Sequence, residues 1–364
     1  MTADPQGAMV DWGFALQTAG KLVRPGPQIS RVRAAEAVAE LREGAARSEQ
    51  PVRDFTGLHA RSATAPVLVV DRIGWVQAHI EGFEAVTQPL VDKIGKQSRL
   101  PSGFGRAVGA KVSGAEVGAL LAFLSGKVLG QFDPFWGGSI GQHIDPSSPE
   151  VGRMLLVAPN IVQIEQELGV NPTDFRLWVC LHEETHRVQF TAVPWMRDHM
   201  HSLIGEFVDA TEINPDEVRK LLGDSTRELG RILRGDPNGS IMDVLQNPAQ
   251  RAVVDKLTGV MSLLEGHADV VMDGVGPGVI PSVKKIRSRF NERRKGAGGL
   301  DLLLRRLLGL DAKMKQYRDG AAFVRTVTDK VGHDGFNAVW SSPQELPTSS
   351  EITDPDAWVA RVHR

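Results

Sequence analysis

Residues 181–186, with the sequence LHEETH, constrain what this chain can be more than any other segment. His182 and His186 stand four residues apart, so on a helix their imidazoles lie on one face and can bind a single metal ion. Glu183 follows the first histidine, where its carboxylate can take a proton from a water molecule on that metal. Imidazole and carboxylate ligands with an open fourth position are typical of zinc. The alternative is a pair of buried histidines beside a surface glutamate.

The residues around this motif predict a long, buried helix. Asn171 and Pro172 are typical of an N-cap followed by proline at the first helical position, and Asp174 adds negative charge to the first turn. Apolar side chains then follow on two sides of the helix: Phe175, Val179 and Phe190 on the side of the histidines, and Leu177, Leu181 and Val188 on the other. A helix that is apolar on two sides is expected to be buried, and Pro194 is expected to end it.

A second motif, EGHAD at residues 265–269, supplies candidates for a third ligand. Residues 248–273 predict one helix with a broad apolar stripe. Glu265 lies in that stripe, where a carboxylate is costly to bury without a partner, so we predict that it binds the metal. The alternative is an acidic residue on the helix surface. Asp269 is predicted to accept the free ring N–H of a ligand histidine, whereas His267 points to another side of the helix.

The spacing of these residues separates two known arrangements of zinc ligands. A metzincin has glycine three residues and histidine six residues after the motif, where this chain has Gln189 and Ala192. The combination of H-E-x-x-H with a downstream E-x-x-x-D resembles the gluzincin arrangement, in which glutamate is the third ligand. Leu264 departs from that pattern, because many such enzymes have asparagine there. The long gap from His186 to Glu265 leaves room for an inserted helical region.

The composition of the chain indicates its cellular compartment and its classes of partner. The chain has 364 residues and a formal net charge of −2, which argues against a general nucleic-acid binder. The single cysteine, Cys180, excludes an internal disulfide and fits a reducing compartment; we expect it to be a buried structural thiol. Residues 1–7 are polar and contain no apolar signal segment. These features together predict a cytoplasmic protein.

The chain is predicted to have three regions. Residues 1–100 form an N-terminal, mostly helical region packed on the core, residues 101–340 form the metal-binding domain, and residues 341–364 form a C-terminal tail. Residues 66–71 and 153–159 are predicted to be strands of a small sheet. The second strand is either buried or lies at a sheet edge, where an extended substrate can pair with it.

Two further segments leave alternatives open. Residues 111–130 place glycines at four-residue spacing, which is typical of close helix packing and also of membrane dimers. Glu116 and Lys127 bracket only ten residues there, too few to span a bilayer, so we expect a buried helix and no membrane span. Residues 283–295 carry seven basic side chains, which predict a solvated helix face rather than a nucleic-acid site.

The chain as a whole resembles a group of actinobacterial zincin-like proteins, described as proposed hydrolases or as associated with biosynthesis of the deazaflavin redox cofactor. The resemblance rests on VDW (10–12), LVRPGP (22–27), VVDRIGWV (69–76), LHEETH (181–186), LLEGHADVVMD (263–273) and KMKQYRDGAAFV (313–324). It implies a mainly α (α+β), zincin-like metallopeptidase fold with a small sheet and helical additions. It brings no established substrate.

The predicted function is that of a zinc-dependent hydrolase, specifically a metallopeptidase acting on a peptide or a small amide. His182, His186 and Glu265 hold the zinc, and Glu183 is the general base. Tyr317, the only tyrosine, is the candidate donor to the oxyanion, its alternative being a structural tyrosine. A rival hypothesis is a metal-stabilised scaffold or partner-binding protein with little turnover, linked to deazaflavin metabolism. Structural zinc sites usually close all four positions with protein ligands, and three are found here.

Overall fold

The computed structural model describes residues 10–59, 66–82, 104–136, 152–210, 248–295 and 310–363 of the chain. These residues are mainly helical and include one small sheet of three strands. The predicted fold class, mainly α with a small sheet, is confirmed.

The chain divides into two compact units. The first comprises the described residues within Met1–Asp54, His59–Thr191 and Pro277–Val283, and the second those within Phe55–Leu58, Ala192–Gly276 and Lys284–Arg364. His182, Glu183 and His186 belong to the first unit, and Glu265 and Asp269 to the second. The region boundaries that the sequence predicts, near residues 100 and 340, stay a prediction.

The first unit is built from one sheet and the helices around it. Its helices are α1 (Trp12–Leu22), most of α2 (Arg31–Thr56), a helical segment at residues 72–82, α3 (Phe104–Ser125), α4 (Ala158–Leu168) and α5 (Pro172–Thr191); its strands are β1 (Val67–Val70), β2 (Gly130–Asp133) and β3 (Arg153–Val157).

Strand β3 lies at the centre of this sheet. It pairs parallel with β1 and antiparallel with β2, and all five of its residues are buried. Both of its sides are therefore occupied by neighbouring strands. The alternative in which residues 153–159 pair with a substrate at a sheet edge is wrong, because their backbone groups already bond within the sheet.

Glycines on α3 let it approach α1 closely. A Cβ atom at Gly114 would lie 2.5 Å from the carbonyl oxygen of Asp11, and one at Gly118 would overlap the carbonyl of Ala15. The predicted close helix packing is confirmed for this face, whereas Val112 and Leu120 on the same helix are exposed. No helix in the described part of the chain is long and apolar enough to cross a membrane.

Arg72 joins two of the segments that carry the family resemblance. Its guanidinium donates to the carbonyl oxygens of Arg24 and Pro25 at 2.7 and 2.8 Å. It also donates to Asn160 Oδ1 at 2.6 Å and to Gln163 Oε1 at 2.7 Å. Arg72, in the segment 69–76, thus holds the backbone of the segment 22–27 in place. Both segments therefore have a structural role in the first unit.

The second unit consists of helices. They are α6 (Met196–Ala210), α7 (Pro248–Gly274), α8 (Val283–Lys295), α9 (Leu310–Phe336), α10 (Ser349–Thr353) and α11 (Pro355–Val362), with 3-10 turns at Asn337–Trp340 and Pro343–Glu345. Only the first residue of α8, Val283, belongs to the first unit.

The long helices α7 and α9 of this unit cross at two glycines. A Cβ atom at Gly266 would overlap the backbone of Gly320, and one at Gly320 would overlap the carbonyl of Ser262. Both glycines lie in segments that carry the family resemblance. The crossing fixes the backbone of α7 next to Glu265, the residue before Gly266.

Candidate metal centre

Helix α5 carries the H-E-x-x-H motif and begins where the sequence predicts. The side chain of Asn171 accepts the backbone N–H of Asp174 at 3.1 Å, which caps the first turn. The Asp174 carboxylate in turn accepts bonds from the N–H and hydroxyl of Ser282 at 2.9 and 2.5 Å. Side chains on both sides of the helix are buried, so the prediction of a buried helix is confirmed.

The two motif histidines face each other across one turn of α5. Their Nε2 atoms lie 3.2 Å apart, and the two rings are perpendicular, with centroids 4.7 Å apart. Two nitrogen ligands at the usual zinc–nitrogen distance, in tetrahedral geometry, are about 3.3 Å apart. The donor atoms of His182 and His186 therefore fit two corners of a zinc tetrahedron.

Gln189 contacts the second histidine from the next turn of the helix. Its Oε1 atom lies 2.9 Å from Nδ1 of His186. An amide oxygen can only accept, so this contact is a hydrogen bond in the tautomer of His186 that has its proton on Nδ1 and a lone pair on Nε2. No such role of Gln189 was predicted, although its three-residue spacing from His186 on a buried helix could have indicated one.

The carboxylate of Glu183 lies against the first residue of strand β2. Glu183 is 4% exposed, and a Cβ atom at Gly130 would come within 2.7 Å of its Cγ and 2.8 Å of its Oε1. A larger residue at position 130 would therefore displace the carboxylate. Sequence reasoning missed this contact, because nothing local to either segment connects them.

Other polar residues of α5 hold the helix rather than form the centre. Glu184 accepts two hydrogen bonds from Arg187, at 2.8 and 2.5 Å, and both side chains are buried. Burial raises the pKa of Glu184, and the hydrogen bonds and charge of Arg187 oppose that rise. Arg187 also lies 3.6 Å from Glu49 on α2, so the pair connects the two helices.

Cys180 is a structural thiol, as predicted. It is fully buried, and its sulfur lies 3.6 Å from the carbonyl oxygen of Leu41. Burial raises the pKa of the thiol well above its usual range, and the nearby charges of Glu183 and Glu184 raise it further by smaller amounts. A buried, protonated thiol is a poor metal ligand and a poor nucleophile.

Glu265 lies inside the apolar stripe of α7, in the second unit. It is 7% exposed, and its neighbours Leu263, Leu264 and Ala268 are almost completely buried. The alternative in which Glu265 is an acidic residue on the helix surface is therefore wrong. A carboxylate in such surroundings requires compensation by a cation or by hydrogen-bond donors.

Asp269, one turn further along α7, has a cationic partner that the sequence did not predict. Arg287 on α8 donates to Asp269 Oδ1 at 2.6 Å and also lies 2.8 Å from Asp273. Burial alone lowers the pKa of Arg287, and the two carboxylates more than offset it. The predicted solvated helix face is found for Lys284 and Lys285, which are exposed, whereas Arg287 is mostly buried against the two carboxylates. The role of Asp269 toward a ligand histidine stays a prediction.

His267 and Tyr317 are the remaining candidate residues in the second unit. His267 is buried, and its ring lies 5.4 Å from that of Phe336 and 5.3 Å from that of Trp340. It is thus part of an aromatic cluster within the second unit. Tyr317 belongs to α9, but its side chain lies outside the described part of the chain.

Comparisons with known proteins identify the family of this chain. A family model described as Zincin-like metallopeptidase matches residues 10–359. The crystal structure of a proposed hydrolase with a novel fold from Chloroflexus aurantiacus is similar, with a TM-score of 0.68 and 29% sequence identity over 98% of this chain and 99% of that chain. No match was found among the curated proteins. Because the family match spans nearly the whole chain, the protein belongs to the family of zincin-like metallopeptidases.

Proposed function

We propose that the protein is a zinc-dependent hydrolase that cleaves peptide or small amide bonds. The observation that carries the proposal is the 3.2 Å separation of the Nε2 atoms of His182 and His186, which matches a shared zinc ion. Membership in the zincin-like metallopeptidase family supports the same reaction class. The similar structure from Chloroflexus aurantiacus, described as a proposed hydrolase, adds support at the level of the reaction type.

Glu265 is our proposed third protein ligand. Catalytic zinc sites with two histidines commonly take a glutamate and keep a fourth position open. Its burial among apolar side chains of α7 supports this role, because a bound cation would compensate the buried carboxylate. Arg287 holds Asp269 on the same helix, which leaves Asp269 better placed to support the centre than to bind zinc itself.

Each residue of the proposed site has a separate role in the hydrolysis. Bound zinc supplies Lewis acidity, which lowers the pKa of a water molecule toward about 7 and polarises the scissile carbonyl. Glu183 accepts the proton of the attacking water and delivers it to the leaving amine. Gly130 provides the space in which that carboxylate lies. Tyr317 is our candidate for a hydrogen-bond donor to the developing oxyanion.

Removing the metal tests the function most simply. We expect the zinc-loaded protein to cleave members of a fluorogenic peptide library, the chelator-treated protein to be inactive, and added zinc to restore the activity. Turnover that survives complete zinc removal would contradict the proposal. Zinc binding without any turnover would favour the scaffold hypothesis instead. The link to deazaflavin metabolism and the cytoplasmic location stay predictions.

The third ligand can be tested by metal affinity alone. We expect Glu265→Ala to weaken zinc binding strongly, since the site loses its only proposed anionic ligand. Asp269→Ala should weaken it by roughly 10–100-fold, the usual effect of losing an outer-shell partner. His267→Ala is the control, because its ring belongs to the aromatic cluster. If His267→Ala loses zinc while Glu265→Ala keeps it, the assignment of the ligand on α7 is wrong.

Gly130→Ala tests whether the space beside β2 positions the general base. The added methyl group must displace the Glu183 carboxylate, and a misplacement of about 1 Å can cost about 100-fold in turnover. We expect such a loss with unchanged zinc content. Gly126→Ala is the matched control, since its nearest neighbouring atom would lie 3.7 Å from the new methyl group. Equal turnover in the two variants would show that Gly130 does not position Glu183.

A further inference from the structure

We propose that Gln189 is a positioning residue of the metal centre, which fixes the tautomer and the ring orientation of His186. The inference rests on the proposed zinc site. The main observation behind the inference is the 2.9 Å contact between Oε1 of Gln189 and Nδ1 of His186. The pattern H-E-x-x-H says nothing about position 189, so this residue adds to the ligands that the motif names.

The helix makes this contact rigid. Gln189 and His186 are three residues apart on α5, which places their side chains on neighbouring turns of one face. Gln189 is completely buried, so its side chain has few alternative rotamers and no bulk water to bond with. The capped start of α5 and the Glu184–Arg187 pair hold the helix itself. The amide oxygen is thus presented to the imidazole at a fixed place.

The chemistry of the contact sets the state of the ligand atom. A neutral imidazole carries one proton, on either Nδ1 or Nε2, and only the nitrogen without the proton can bind a metal. An acceptor fixed at Nδ1 holds the proton there and leaves Nε2 as the ligand. That Nε2 lies 3.2 Å from the Nε2 of His182, so the ring is already oriented for a shared ion. Without the acceptor, the ring must reorient or change its tautomer before it binds.

Glutamine differs from a carboxylate acceptor in the charge that it places next to the metal. Ligand histidines often donate to a carboxylate or to a backbone carbonyl. Gln189 is neutral, so it orients the ring without adding a negative charge next to the metal. The positive charge of the bound ion is then balanced by fewer anionic groups, which favours ionisation of the water that it binds. Glutamate at position 189 should keep the orientation but change this charge balance.

A set of three variants separates positioning from a merely structural role. Gln189→Met has a similar length but lacks the acceptor, and Gln189→Glu retains an acceptor. Gln166→Met is the matched control, because Gln166 is an exposed glutamine on helix α4. The two readouts are the zinc dissociation constant from competition with a chromophoric chelator and the tautomer of His186 from its 15N chemical shifts in the metal-free protein.

We expect Gln189→Met to weaken zinc binding by about 10–100-fold, as other outer-shell losses do, and to reduce the population with the proton on Nδ1 of His186. Gln189→Glu should restore that tautomer and bring the affinity back to within about tenfold of the parent protein. Gln166→Met should match the parent in both readouts. Parent-like zinc affinity in Gln189→Met, with or without a lower melting temperature, would overturn the inference.

The tautomer of the parent protein keeps the inference testable if Gln189→Met does not fold. A His186 ring with its proton mainly on Nε2 in the metal-free parent would overturn it directly. The result is also distinguishable from a failure of the zinc site itself. If the site is wrong, the parent protein and Gln166→Met bind no zinc; if only the role of Gln189 is wrong, both bind zinc and Gln189→Met binds it equally well.

Discussion

His182→Ala and His186→Ala should each leave the protein essentially free of zinc, where the parent protein holds about one ion per chain. Each histidine supplies one of three proposed protein ligands, and the pair is matched to the metal by its 3.2 Å Nε2 separation. A single imidazole and a carboxylate retain too few bonds to hold zinc against a competing chelator. Elemental analysis of the purified, dialysed variants measures the result.

The exposed residue His363 offers a control for this loss. His363→Ala removes an imidazole near the C-terminal end of the chain and should keep the parent zinc content. Circular dichroism of all variants reports whether the helices remain formed. Full zinc occupancy in both His182→Ala and His186→Ala would refute the assignment of the metal centre to α5.

Glu183→Gln should separate chemistry from folding and from metal binding. Glutamine keeps the size and the hydrogen-bonding capacity of glutamate but cannot act as a base at neutral pH. The variant should therefore fold and bind zinc like the parent, since the neighbouring residue His182 is the proposed ligand at this turn. Hydrolysis should fall by about two to four orders of magnitude, the range for losing a general base. Zinc content, melting temperature and turnover on one preparation decide the outcome.

Glu167→Gln is the matched control for Glu183→Gln, because Glu167 is an exposed residue on α4. Glu167→Gln makes the same chemical change at the surface of the first unit and should leave turnover unaltered. Unchanged turnover in Glu183→Gln would refute the proposed role of this residue. Loss of zinc in Glu183→Gln would instead show that the carboxylate also contributes to metal binding.

The two helices that carry the proposed ligands were predicted from the sequence because their start and stop signals are local. Asn171 and Pro172 act within one turn, so α5 begins at Pro172 as expected. The proline at position 248 likewise starts α7, which ends at Gly274 as predicted. The four-residue spacing of the motif then sufficed to bring the two histidines together, since both lie on one rigid helix.

Contacts between distant segments could not be read from the sequence. Gly130 lies against Glu183 because β2 passes beside α5, and only the folded sheet creates that approach. The central place of β3 depends on which strands flank it, which its own residues do not specify. The pairing of Asp269 with Arg287 depends in the same way on the packing of α7 and α8.

Zinc-edge anomalous diffraction from crystals of the zinc-loaded protein would locate the ion and its ligands. We predict one anomalous peak, about 2.0–2.2 Å from Nε2 of His182, from Nε2 of His186 and from a carboxylate oxygen of Glu265. A peak bound by other residues, or no peak at the two histidines in fully zinc-loaded protein, would refute the proposed zinc site.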